Sequence, residues 1–219
     1  MKTQIILSTS ALLLGGALLL NSCKKEDKDT TAPVVTVSGA STFFVQLNST
    51  FSDPGATATD ETDGTLSATA SGTVTTTTEG TYTVTYTAKD KAGNSASAKR
   101  TVIVIDIAGS YSVVDTSPYP GGTSSTYAET ATLSTTSNGK VIVTKFGYYT
   151  NGGVYFNLTS ATALTIPAQD VTCGSPSALR NFTGSGVISK VGGVTVLTID
   201  YKEITNSTTV NARGVYTKQ

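Results

Sequence analysis

The chain contains no His and no Trp, only two Cys, and charged residues make up only 14% of its 219 residues. Without His, neither His-based acid–base catalysis nor a His-ligated metal site can form. Lys and Arg together number 15, as do Asp and Glu, so the formal net charge is zero. No basic excess is present to neutralise phosphates, which excludes a nucleic-acid partner.

A long apolar pattern with the helical period of 3.6 residues is also missing after the N-terminus. Instead, short alternating runs rich in Thr, Val and Tyr are separated by Gly, Asn, Asp and Pro. This pattern is typical of β-sandwiches and β-barrels. We predict an all-β protein with two blocks, residues 33–106 and 107–219.

The N-terminus has the features of an export signal. The apolar run from Ile5 to Leu20 is short for a bilayer-spanning helix, which needs about 20 apolar residues, and it resembles the core of a secretory signal peptide. It ends in Leu-Asn-Ser-Cys23, which resembles a bacterial lipobox. The resemblance implies a signal peptide over residues 1–22 and a lipidated Cys23 that anchors the chain to a membrane. The alternative is a soluble secreted protein cleaved elsewhere.

Residues 23–32 continue as a tether. Lys24–Ala32 is charged and has no apolar period, so it is expected to be solvated. The segment resembles the acidic export signal of Bacteroidota surface lipoproteins, which implies an outer-membrane location with exposure on the cell surface; an ordinary charged linker is the alternative. If Cys23 is acylated, Cys173 has no disulfide partner, and we predict a buried, inert thiol.

The first block contains the clearest strand of the chain, Gly80–Ala88. Its Tyr82, Val84, Tyr86 and Ala88 alternate with Thr, which predicts one buried and one solvated face. Roughly seven strands in this block suit a small immunoglobulin-like (Ig-like) sandwich.

Ordered motifs in this block resemble a known family. They are Pro33-Val-Val-Thr-Val37, Asp53-Pro-Gly-Ala-Thr-Ala58, Asp60 with Asp63-Gly64, Gly80-Thr-Tyr-Thr-Val-Thr-Tyr86, and Asp90 with Ala92-Gly-Asn94. The series is similar to a bacterial Ig-like domain of some pesticidal crystal proteins and Bacteroidota surface lipoproteins. The resemblance implies a spacer or adhesion module over residues 33–106, without enzymatic activity.

Four Asp residues of this block are weak calcium candidates: Asp53, Asp60, Asp63 and Asp90. Ca²⁺ takes six to eight oxygen ligands, and two loops could converge at one end of a sandwich. Asp is equally common in turns, because its side chain accepts hydrogen bonds from its own backbone. We favour turn capping and predict no metal and no cofactor.

The second block, 107–219, predicts eight strands without an intervening helix. We place them near 109–116, 126–135, 139–149, 153–159, 162–166, 182–190, 194–201 and 210–217. This order suits an antiparallel lipocalin-like barrel, in which the first and last strands must pair, or a flattened barrel or sandwich. The block resembles the small lipocalin-like domains that follow Ig-like modules in Bacteroidota lipoproteins.

An Asn151-Gly152 pair predicts a two-residue hairpin and with it a register. In that register Tyr148 pairs with Tyr155. Alternation then places four side chains on the outer face: Phe146, Tyr148, Tyr155 and Asn157. Flat rings beside an amide suit stacking against sugar rings, so this strip is the candidate glycan-binding site. A stabilising cross-strand ladder and packing against another domain or subunit are the alternatives.

The expected function is non-catalytic. Paired carboxylates could in principle hydrolyse glycosides, but the few acids of the second block form no convincing pair. The chain resembles accessory lipoproteins that Bacteroidota encode beside nutrient transporters, which implies polysaccharide as ligand and an outer-membrane transporter complex as partner. A structural or adhesive spacer, or a carrier of one small apolar ligand inside the barrel, are the alternatives.

Overall fold

A computed structural model describes residues 28–116, 124–147, 149, 152–174, 177–206 and 208–219. These residues form fifteen β-strands that divide into two domains. Cys23 and Tyr148 lie outside the described residues. Among the described residues, no helix has the length and apolar character needed to cross a membrane.

The first domain is the predicted two-sheet Ig-like sandwich. One sheet has the order β1-β3-β4 and the other β2-β7-β6-β5. The strands are β1 (Val34–Val37), β2 (Thr42–Gln46), β3 (Ala56–Asp60), β4 (Gly64–Leu66), β5 (Thr69–Ser71), β6 (Gly80–Lys89) and β7 (Ser95–Ile105). On β6, Val84, Tyr86 and Ala88 are buried and Tyr82 is half-buried, which confirms the predicted face.

A buried arginine lies at the centre of this sandwich. Arg100 is fully buried and donates hydrogen bonds to three backbone carbonyls, those of Ser38, Ala40 and Gly55. Its Nε donates to the Tyr86 hydroxyl at 3.0 Å and lies 3.2 Å from a carboxylate oxygen of Asp53. Buried charges persist when their donors are satisfied, so this network compensates the cost of burying the guanidinium.

The second domain is a closed antiparallel barrel made of eight described strands. They are β8 (Gly109–Thr116), β9 (Ser124–Leu133), β10 (Lys140–Val143), β11 (Val154–Leu158), β12 (Ala163–Cys173), β13 (Ala178–Val191), β14 (Val194–Ile204) and β15 (Thr209–Lys218). The first and last of them, β8 and β15, pair along Tyr111–Thr116, which closes the barrel as predicted.

Aromatic rings fill the described part of the barrel interior. Phe146, Phe156, Phe182 and Tyr216 are fully buried, and Tyr201 is nearly so. The Phe146 ring contacts the rings of Phe156, Phe182 and Tyr201 at centroid distances of 5.8, 5.4 and 4.6 Å. Edge-to-face ring pairs add to the stability from burial. The described interior therefore gives no support to the carrier interpretation.

The predicted hairpin register is wrong. β10 ends at Val143, which pairs with Val154, and Tyr155 lies opposite Ile142 rather than Tyr148. The Glu129 carboxylate accepts hydrogen bonds from the amides of Thr144 and Lys145, so these donors leave the ladder. At Gly147 the chain then adopts a positive φ of 62°.

The correction moves Phe146 from the outer face to the barrel core, where it is 0% exposed. Val154, Phe156 and Leu158 alternate with the outer residues Tyr155 and Asn157 along β11, and all three are buried. Cys173 is buried too, and burial raises the pKa of its thiol, as expected of an inert cysteine.

The two domains share a continuous junction. Ile103 and Ile105 of β7, with Ile107, belong to the same buried cluster as the barrel interior. The Gln46 side chain accepts hydrogen bonds from the amides of Ile107 and Ala108 and donates to Asp106 at 2.9 Å. Two further contacts cross the junction, the Lys190–Glu79 ion pair at 2.8 Å and the Thr195 hydroxyl bond to the Asp106 carbonyl.

Candidate functional site

A cleft of about 500 Å³ lies between the two domains. Its Ig-like wall is formed by β2 and the residues after it, and its barrel wall by the turn from β9 to β10. Aromatic side chains and hydroxyl or amide groups line it together, among them Phe43, Phe44, Phe51, Leu133, Thr136 and Asn138. Ligand sites are preferentially concave, mostly apolar and located between domains.

The aromatic wall of the cleft is ordered by packing on both domains. Phe43 and Phe51 meet edge to face at a centroid distance of 5.7 Å, and the Arg100 guanidinium lies 5.0 Å from the Phe43 ring centroid. Phe44 contacts the barrel cluster, where it covers Gly139. All three rings are half-buried, so each keeps part of its surface open.

The polar wall is tied to the aromatic one by a single side chain. Asn138 accepts a hydrogen bond from the Phe44 amide at 2.9 Å and donates to the Thr42 carbonyl at 2.6 Å. These two bonds hold the β9–β10 turn against β2. The exposed Thr135 and Thr136 hydroxyls stand beside the rings, so the cleft offers flat apolar surface next to hydrogen-bonding groups.

The predicted aromatic strip is only partly assembled. Tyr155 and Asn157 lie on the outer barrel face as predicted, both half-buried. The Lys140 ammonium stands 3.8 Å from the Tyr155 ring centroid, a cation–π contact, and Ile142 is exposed beside it. With Phe146 inside the barrel and Tyr148 outside the described residues, the described strip has one ring instead of three.

A buried polar network lies behind the loop between β10 and β11. Glu203 is 2% exposed and accepts a hydrogen bond from the Tyr149 hydroxyl at 2.8 Å. It forms an ion pair with Arg180, whose guanidinium stacks over the Tyr149 ring at 4.6 Å. These contacts fasten the loop to β13 and β14, and they assign the pair a structural role.

A second buried acid, Asp115, accepts hydrogen bonds from the Tyr201 hydroxyl with both carboxylate oxygens, each at 2.9 Å. The pKa of Asp115 is raised to about 6, chiefly by burial; the Tyr201 hydrogen bond lowers it and the Glu203 charge raises it, and the net effect is this increase. Burial likewise raises the pKa of the Tyr201 hydroxyl, which therefore remains a donor.

The four calcium candidates separate into two groups. Asp53 serves the buried arginine: burial works against its charge, but hydrogen bonds from Tyr86 and a Gly55 amide and the Arg100 charge lower its pKa. Asp63 accepts hydrogen bonds from the Lys91 amide and ammonium group, which lower its pKa. Asp60 and Asp90 do come together, and Asp29 joins them.

The prediction of turn capping is confirmed for Asp60 and Asp90. One oxygen of Asp60 accepts from the amides of Thr62 and Asp63, and one oxygen of Asp90 accepts from those of Gly93 and Asn94. Sequence reasoning missed Asp29, because Asp29 was assigned to a solvated tether. It also missed the cleft, because residues on its two walls, such as Phe44 and Asn138, are 94 positions apart in the chain.

The family comparison agrees with the resemblance of the first domain to a bacterial Ig-like domain. Residues 35–104 match the family model of the Ig-like domain of bacterial surface proteins. Among solved structures, the chain is similar to a lipoprotein from Bacteroides thetaiotaomicron, with 18% identity and a TM-score of 0.34 over 85% of this chain and 100% of that one. The chain matches no curated protein sequence. The family match confirms that the first domain is of the bacterial surface Ig-like type.

Proposed function

We propose that this chain is a lipid-anchored, non-catalytic protein of the cell surface that binds extracellular glycan in the cleft between its domains. The proposal rests mainly on the position of three half-buried Phe rings beside Thr hydroxyls and the Asn138 side-chain amide. Sugar rings present flat C–H faces that pack on aromatic rings, and their hydroxyls require hydrogen-bonding partners at the rim.

Two further features support the surface assignment. The first domain matches the Ig-like type of bacterial surface proteins, and the N-terminal sequence resembles a lipobox ending at Cys23. Anchoring would hold the cleft outside the membrane, where a polysaccharide or a nutrient transporter could reach it. The Cys23→Ser variant should move from the membrane fraction to the soluble fraction. Equal membrane retention of variant and parent would contradict the anchor.

The glycan proposal is tested by native affinity electrophoresis of the full chain in gels containing a panel of polysaccharides. Phe51→Leu removes the ring but keeps an apolar side chain, and it should weaken retention by at least about tenfold, or about 1.4 kcal/mol. Tyr155→Leu is the matched control on the outer barrel face and should leave retention unchanged. If Tyr155→Leu abolished retention instead, the site would lie on the outer strip.

A spacer without a small ligand is the second candidate function, and the junction favours it. The shared core and the Gln46 bridge make the two domains one continuous unit, as a rigid spacer requires. A spacer would show no retardation with any polysaccharide of the panel, so the same gels separate the two functions.

A further inference from the structure

The end of the tether meets two loops of the Ig-like domain in a cluster of carboxylates. Asp29, Asp60 and Asp90 each contribute one oxygen to a group whose members all lie within 4.8 Å of one another. Asp60 is the last residue of β3, and Asp90 follows the end of β6. Asp60 and Asp90 are 7% and 6% exposed, so both are more than nine-tenths buried.

Two oxygens of this cluster are buried and have no hydrogen-bond partner among the described residues. One oxygen of Asp29 accepts from the Thr31 amide, and one of Asp60 from two turn amides, but the second oxygen of each carboxylate has no hydrogen-bond donor. The second oxygen of Asp90 accepts a hydrogen bond from the Asn94 side chain at 2.7 Å. A buried carboxylate oxygen without a donor is costly, and such a group requires an explanation.

No positive side chain compensates the cluster among the described residues. Their ion pairs include none to Asp29, Asp60 or Asp90, and the nearby Lys91 is directed to Asp63 instead. Three carboxylates at this separation repel one another in a poorly solvated site. A bound cation would remove the repulsion and satisfy the unpartnered oxygens together.

We propose that Asp29, Asp60 and Asp90 bind a calcium ion that fastens the end of the tether to the Ig-like domain. Calcium binds oxygen at 2.3–2.6 Å, so ligands on opposite sides of it lie about 4.6–5.2 Å apart, which accommodates the observed group. Magnesium binds oxygen at about 2.0–2.1 Å in a near-regular octahedron and usually keeps several waters, whereas calcium tolerates an irregular set of carboxylates. Zinc prefers nitrogen and sulfur ligands, and the chain contains no His.

The tether is already directed to this position by a neighbouring side chain. The side-chain amide of Asn94 donates to the backbone carbonyl oxygens of Asp29 and Thr31, at 3.2 and 3.0 Å, and to the carboxylate of Asp90. Turn amides take one oxygen of Asp60 and one of Asp90, and these amides do not occupy the other oxygen of either carboxylate. Calcium would define where the tether ends and the rigid domain begins, and the proposal is independent of glycan binding.

The test is calorimetric titration of the full chain, in detergent and stripped with a chelator, with Ca²⁺ and in parallel with Mg²⁺. We expect one Ca²⁺ site with a Kd of about 10⁻⁴–10⁻³ M, as in extracellular modules, binding at least tenfold more tightly than Mg²⁺, and a higher Tm with calcium. No binding heat with an unchanged Tm, or equal affinity for Mg²⁺, would overturn the proposal.

Variants locate the site. Asp60→Asn and Asp29→Asn should each weaken Ca²⁺ binding at least tenfold. Asp29 lies outside the sandwich strands, so Asp29→Asn still tests the site if Asp60→Asn fails to fold. Asp63→Asn is the matched control. Asp63 lies in the turn that follows Asp60 but forms an ion pair with Lys91, so this variant should bind Ca²⁺ like the parent. Unchanged binding by Asp29→Asn would remove the tether from the site.

Discussion

The Ig-like domain buries an arginine at the centre of its sandwich, in addition to Asp60 and Asp90 at its turns, whereas the buried charges of the described barrel are acids. The sandwich has a small apolar core around Val45, Val102 and Val104 and a fully buried arginine beside it. The barrel has a much larger apolar cluster, and its buried charges include three acids, Asp115, Glu129 and Glu203.

The difference shows what each buried charge does. Arg100 joins β7 to the carbonyls of two loops, so it supports the whole sandwich. Each acid acts locally: Glu129 fixes where β10 ends, and Glu203 holds Tyr149. Loss of the arginine should therefore unfold the small domain, whereas loss of one acid should affect one part of the barrel.

The largest effect is expected for Arg100→Ala. It removes the side-chain donor to the carbonyls of Ser38 and Ala40 and the cation beside Asp53. Breaking a buried charge network costs about 3–5 kcal/mol. We expect the variant to unfold at a markedly lower urea concentration than the parent, with the Ig-like strands lost first. Lys99→Ala, an exposed neighbour, should behave like the parent. Similar stability of the two variants would mean that Arg100 is not the centre of the sandwich.

Phe146→Ala should destabilise the barrel by about 4 kcal/mol, because it removes a fully buried ring and leaves a cavity. Tyr155→Ala, on the outer face of the same hairpin, should cost less than about 1 kcal/mol. Urea denaturation of the barrel compares the two. Equal losses of stability would contradict the inward position of Phe146 and would favour the sequence-based prediction that Phe146 lies on the outer face.

Asp115→Asn should change how barrel stability depends on pH. Because the pKa of Asp115 is raised to about 6 in the folded state, the unfolded state loses its proton first as the pH rises. Between about pH 4 and pH 6, the free energy of unfolding of the parent should therefore fall by up to about 3 kcal/mol relative to that of the variant. Above pH 6 the difference should stay constant. Urea denaturation at each pH measures it, and parallel pH profiles would contradict the raised pKa.

The fold was largely predictable from the sequence because period-two alternation is a local signal. The Tyr82–Ala88 face and the eight barrel strands followed from such patterns, and the pairing of the first strand with the last followed from the closure of a barrel. The hairpin register was not predictable from Asn151-Gly152. Glu129, which removes two amides from the ladder, lies on another strand, and turn chemistry does not reveal that contact.

The candidate site was less predictable for a related reason. Its rings lie on and just after β2 and its hydroxyls in the β9–β10 turn, and only the docking of the two domains brings them together. The carboxylate cluster shows the same limit, since Asp60 and Asp90 could be named from their loops but Asp29 required the tether to fold back.

Hydrogen–deuterium exchange of the full chain, with and without a retained polysaccharide, tests the cleft most directly. The proposal predicts new protection in two separate segments, Thr42–Phe51 and Leu133–Asn138, with no change on the outer face at Lys140–Val143 and Val154–Leu158. Protection confined to that outer face, or none at all with a polysaccharide that retards the protein, would contradict binding between the domains.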